Sequence, residues 1–153
     1  MPYSIGQVAE KTGLSTYTLR YYDREGLMPF VGRNAAGRRE FTDDNLDFID
    51  LITCLKATGM QLSEIRKFVD LAMQGDATLE TRLNIFKQQR QAVQKQIEQS
   101  QKYLAKLDYK VRFFEAACDA GCEAAVSGDC DIPDAPIVID DSLRVNRAKV
   151  SGR

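Results

Sequence analysis

The chain contains no histidine. That removes the commonest general base and the commonest metal ligand. It also has no nucleophile elbow and no phosphate-binding glycine loop, so an enzyme is the least supported class. No stretch approaches the ~20 consecutive apolar residues that span a bilayer. The N-terminal "MPYSIGQVAEKTG" has no apolar signal core, and the expected location is cytoplasmic. Cysteine is sparse, at four: Cys54, Cys118, Cys122 and Cys130. In a cytoplasmic chain these read as reduced thiols or ligands before structural disulfides. Basic residues are missing from one region altogether. Phe113 to Leu143 holds eight acids and neither Lys nor Arg, whereas Met1 to Glu40 holds six basic residues against four acids. With a net charge of −1, it is this asymmetry that is informative: a polyanion would be drawn to the first region and repelled by the second.

What is present is strongly patterned. At 153 residues and 44% apolar, the chain can build a core for one domain, or for a small domain with an appendage. Ser4 with Gln7 three residues on forms a capping-box pattern, Ile5, Val8 and Ala9 make a helical stripe, and Gly13 ends it. Ser15 caps a second helix from Thr16 to about Arg24, closed by Gly26. Two short helices joined by a tight Gly-containing turn are a helix-turn-helix signature. In "PFVGRNAAGRREF", Pro29, Gly32 and Gly37 break helix, and Val31 and Phe41 suggest two extended arms of a wing. Thr42 caps a third helix, with Asp43 and Asp44 in its first turn, running to about Thr58. A fourth starts near Ser63 and stops before Gly75.

From Thr78 to Ala120 there is neither Gly nor Pro. Alternating steps of four and three give Leu79, Leu83, Phe86, Arg90, Val93, Ile97, Ser100, Leu104, Leu107, Val111, Phe114 and Cys118, of which ten of twelve are apolar or cysteine. This is a heptad seam on a helix of roughly 60 Å. A lone helix cannot bury such a seam; its copy in a second subunit is the simplest partner. The organisation expected is therefore a winged helix-turn-helix head over 1–75, a dimerisation coiled-coil helix over 76–120, and over 121–153 a short ordered loop followed by a mobile tail.

Two constellations bear chemistry. Arg20, Arg24, Arg33, Arg38 and Arg39 gather with Tyr17, Tyr21 and Tyr22. Arginine forks fit phosphate oxygens, and tyrosine hydroxyls donate to them. Thr16, Tyr17, Thr18 and Arg20, at the start of the second helix, suit base edges in a major groove. Any single tyrosine could equally be core, and Leu19 is the safest core residue of that helix. The cysteines also leave two readings. Cys54 is either a small buried hydrophobe or a reactive thiol, and the tail cysteines are either unligated or metal ligands.

The order "YSIGQVAEKTGLSTYTLRYYDREGLMPF…R…GRREF", then "CLKATGMQLSEIRKFV" and a long heptad helix, resembles MerR-type transcriptional regulators from Pro2 to about Cys118. The resemblance implies a mainly α fold: a winged helix-turn-helix head followed by a long helix that pairs antiparallel in a homodimer. It implies binding to promoter DNA whose −35 and −10 elements are too far apart, with the spacer bent and untwisted so that RNA polymerase can use both. It puts Thr16, Tyr17, Thr18 and Arg20 in or near the major groove, Tyr21 or Tyr22 and Arg24 near the backbone, and Arg33, Arg38 and Arg39 on phosphates. Many members have an aromatic at the position of Arg38, so the exact wing contacts stay open, although charge is preserved.

For the stimulus, the string around Cys54 resembles the thiol-based branch, which responds to aldehydes or reactive nitrogen species through one cysteine. No metal or cofactor is expected on that reading. The alternative is a soft-metal sensor: Cys122 and Cys130 enclose a loop resembling that of copper-sensing members, where two thiolates suit Cu(I), with Cys118 less favoured. "QGDATLET" lacks the thiol that metal-sensing members place at the start of the long helix. No drug-binding domain follows that helix, which argues against a multidrug sensor.

Overall fold

The computed structural model describes residues 2–132 and 134–145. It is mainly helical: α1 (Ile5–Thr12), α2 (Thr16–Arg24), the wing strands β1 (Gly32–Arg33) and β2 (Arg39–Glu40), α3 (Asp43–Ala57), α4 (Leu62–Met73), the long α5 (Leu79–Ala120), and a hairpin of β3 (Val126–Ser127) and β4 (Val138–Ile139). Two compact units emerge, Met1–Val93 and Gln94–Arg153, so their boundary falls inside α5. Among the described residues no helix is long and apolar enough to cross a membrane.

The helix ends follow from local chemistry. Ser4 Oγ accepts from the Gln7 amide while the Gln7 side chain accepts from the Ser4 amide, at 3.3 and 2.9 Å. Thr42 and Asn45 repeat the arrangement at the start of α3. Gly13 closes α1 in the left-handed region at φ 72°, where a side chain would be strained. Ser15 caps α2 through the Thr18 amide.

In the first unit α1, α2, α3 and α4 surround one core of Val8, Leu19, Leu27, Phe41, Ile49, Ile52, Ile65 and Val69, all fully buried. The wing strands pair antiparallel, Gly32 with Glu40 and Arg33 with Arg39. Val31 and Phe41, read as extended arms, are the buried anchors flanking these strands. Phe41 also exchanges backbone hydrogen bonds with Tyr3, which fastens the N-terminus to the wing. An aromatic relay then runs Phe30–Phe48–Phe68–Phe86 with ring centroids 4.5, 5.9 and 5.1 Å apart. Such pairs add about 0.5–1.5 kcal/mol each beyond area burial. Phe86, a heptad position, is thereby packed against the head core.

In the second unit the structure departs from the sequence reading. Up to Val145 the segment after Gly121 is folded: a 3₁₀ turn (Glu123–Ala125), the β3–β4 hairpin and a second 3₁₀ turn (Asp141–Leu143). The remainder of the expected tail, 146–153, lies outside the described residues. Tyr109, Ala117 and Ala120 of α5 are buried, as are Ala125, Val126 and Ala135 of this cap. Polar ties reinforce it: Arg112 donates to the Ala135 carbonyl at 3.2 Å, and Lys106 pairs with Asp131 at 3.1 Å. The heptad seam, by contrast, is open: Leu79, Leu83, Ile97, Leu104, Leu107, Val111 and Phe114 are all about half exposed or more.

Candidate DNA interface and sensor cysteine

α2 separates its two roles by face. Leu19 and Tyr22, three residues apart, point inward and are 0% and 3% exposed. Tyr17 is 72% exposed, Arg20 and Arg24 are exposed, and Thr16 and Thr18 are half-buried at the amino end. Thr18 Oγ1 lies 2.9 Å from Ser15 Oγ, so the N-cap also orients a candidate base-reading side chain. Tyr22 belongs to the core: burial first, and the neighbouring Tyr21 phenol second, raise its pKa above the ordinary phenol value. Tyr21 is half-buried and packed at the core edge.

The wing arginines divide as well. Arg38 is exposed at the tip. Arg33, also exposed, donates to the Gly37 carbonyl at 2.7 Å, which steadies the turn while leaving its charge at the surface. Arg39 differs from expectation. Its Nε and Nη2 grip both carboxylate oxygens of Asp23 at 3.1 and 2.5 Å, and Nη1 donates to the Val31 carbonyl. With both side chains only 25% exposed, this bidentate fork braces the wing against α2 and is committed to that task.

The cysteines fall in three settings. Cys54 is exposed on α3, opposite the buried Ile49, Ile52 and Leu55, so it is not the small core hydrophobe that its sequence context allowed. Asp50, one turn earlier, is exposed too. Cys118 is exposed on the seam of α5. Cys122 and Cys130 are half-buried in the cap, and Cys122 Sγ donates to the Leu143 carbonyl at 3.2 Å. Among the described residues no group of three or more His, Cys, Asp or Glu side chains is placed to hold a metal ion.

Known proteins carry the same arrangement. The family model "MerR HTH family regulatory protein" matches residues 3–71, and "MerR, DNA binding" matches 46–109. A Haemophilus influenzae protein described as an uncharacterized HTH-type transcriptional regulator is 45% identical over 127 residues, covering 83% of this chain and 94% of that one. The chain belongs to the MerR family. Among solved structures, HiNmlR, a MerR family regulator lacking the sensor domain and crystallised bound to promoter DNA, is 45% identical with a TM-score of 0.78, over 82% of this chain and 100% of that one. A MerR-family regulator from Bacillus thuringiensis is 42% identical with a TM-score of 0.70, over 73% and 98% of the two chains.

As a MerR-family DNA-binding transcriptional regulator, the chain owes its reading head to residues that sequence reasoning passed over. Asp23 sets the wing through Arg39. Asn34 builds the wing turn, its Oδ1 accepting from the Ala36 and Arg38 amides at 3.0 Å each. Arg66 of α4 donates to the Glu25 carbonyl at 2.7 Å and to its carboxylate at 2.9 Å, holding the end of α2. Asn34, between Arg33 and a Gly three residues on, carried a readable turn signal. Asp23 and Arg39, sixteen residues apart, did not. The cap lies beyond both MerR family matches, which end at residues 71 and 109.

Proposed function

We propose that this MerR-family regulator is a cytoplasmic homodimer that binds an over-spaced promoter, distorts its spacer for RNA polymerase, and is switched by modification of Cys54. The observation carrying the DNA reading is the two-faced α2: Leu19 and Tyr22 buried, Tyr17, Arg20 and Arg24 exposed at one surface. Thr16, Tyr17, Thr18 and Arg20 read base edges. Tyr21, Arg24, Arg33 and Arg38 contact the phosphates that set register. Two heads held by antiparallel pairing of the open α5 seams engage two half-sites, and the spacing they impose is what strains the spacer.

The exposed thiol of Cys54 supports the sensor reading, since an electrophile needs access. Its thiolate adds to the β-carbon of an α,β-unsaturated aldehyde: a C–S bond forms, and the resulting enolate takes a proton from water. A promoter-reporter assay with Cys54→Ser under aldehyde or nitrosative stress tests it. Loss of induction is expected, and undiminished induction contradicts it. The soft-metal alternative rests on the spacing of Cys122 and Cys130, both half-buried free thiols after α5. Stoichiometric Cu(I) binding by the reduced protein, abolished in Cys122→Ser, would favour that reading instead.

A further inference from the structure

The last turn of α3 carries Cys54 outward and ends at Thr58. Thr58 Oγ1 donates to the Cys54 carbonyl at 2.9 Å, with the Leu55 carbonyl at 3.1 Å. The same hydroxyl accepts from Gln89 Nε2 at 2.7 Å, and that amide also reaches the Thr58 carbonyl at 3.3 Å. Gln89 stands on α5 beside the seam position Arg90. A directed chain therefore runs from the Gln89 N–H through the Thr58 O–H to the Cys54 carbonyl, each bond polarising the next. Thr58 and Gln89 are both half-buried, and the bonds between them are partly shielded from water. Next to them a groove of about 350 Å³, lined by Met60, Ile85, Gln89 and Ala92 among others, leaves the turn room to shift.

We infer that the Thr58–Gln89 pair is the link through which the state of Cys54 reaches the dimerisation helix. The inference rests on the Cys54 reading above and assigns the positioning residues that serve it. Phe68 packs on Phe86 through an apolar, edge-on contact, and Arg82 at the start of α5 donates to the Gly75 carbonyl at 3.1 Å, far from the thiol. The Thr58–Gln89 bonds are directional, and they begin one turn from the thiol. An adduct on Sγ displaces the last turn of α3, the hydroxyl leaves the Gln89 amide, and α5 changes its angle to the head. In a dimer that angle sets the separation of the two reading helices, hence the strain placed on the spacer.

The test treats the full-length protein with acrolein, maps adducts by mass spectrometry, and measures promoter-reporter induction for Thr58→Val, Thr58→Ser and Gln89→Leu. Thr58→Val and Gln89→Leu are expected to acquire the Cys54 adduct at the parent rate and to bind promoter DNA as before treatment. Their induction ratio should fall by about fivefold, the worth of one hydrogen bond. Thr58→Ser, which keeps the hydroxyl, should restore it; a merely structural role would not split modification from response. Full induction in Thr58→Val and Gln89→Leu with Cys54 modified overturns the link alone. Induction of the parent without any Cys54 adduct overturns the sensor reading and the link with it. A melt by circular dichroism identifies a variant that has lost its fold, and the remaining two then decide.

Discussion

Adjacent tyrosines can have opposite fates. Tyr21 and Tyr22 differ by about 100° around the helix, and only the second joins Leu19 on the inner face. That spacing was legible, since residues three apart share a face. What the sequence left open was which of the two phenols, both next to arginines, serves as core. Tyr22→Phe should leave DNA affinity within about twofold, whereas Arg20→Ala should weaken it by about tenfold or more, as expected for a base-contacting arginine; fluorescence anisotropy measures both. The raised Tyr22 pKa adds a pH dependence. Its folded value exceeds the unfolded value near 10, so its contribution is whole below pH 10 and is lost as pH climbs from there through the folded pKa. Denaturation curves across alkaline pH should therefore fall less steeply for Tyr22→Phe than for the parent. Asp23→Ala removes the fork that braces Arg39, and should cost about 1–3 kcal/mol of stability together with part of the DNA affinity.

At the scale of elements, caps and periodicity carried most of the information. Ser4, Gly13, Ser15 and Thr42 mark helix ends through contacts within four residues, which any reader of the chain can find. The heptads announced α5 because a seam repeats over many turns. The cap did not announce itself. Its strands are two residues long, and its stability comes from contacts with α5 made from far along the chain, such as Arg112 to Ala135. Those contacts leave Leu104, Leu107, Val111 and Phe114 of the seam about half exposed or more. Two consequences can be measured. A charge at the open seam, Leu107→Lys, should shift the proposed dimer to monomer in sedimentation while preserving helicity, because Leu107 is 63% exposed in the single chain. In the cap, a Cβ on Gly128 would stand 2.0 Å from the Tyr109 oxygen. Gly128→Ala should destabilise the second unit by about 1–3 kcal/mol, visible as faster amide exchange around Tyr109.

Over the whole molecule, charge is divided between a basic stretch from Met1 to Glu40 and an acidic one from Phe113 to Leu143, and the net value of −1 conceals it. The head matches the MerR family over residues 3–71 and the family match continues to residue 109. The Cys54 thiol is exposed and its carbonyl is tied through Thr58 to α5, which is the setting the proposed switch requires. The central claim nonetheless stands or falls on reading DNA. The most direct measurement is anisotropy of the full-length protein on a palindromic duplex recovered by in vitro selection, against a scrambled duplex, across a salt series. The account predicts binding about a thousandfold tighter to the selected duplex, weakening log-linearly with salt and lost with Tyr17→Ala and Arg20→Ala together. Equal affinity for both duplexes, or selection that recovers no common sequence, would contradict it.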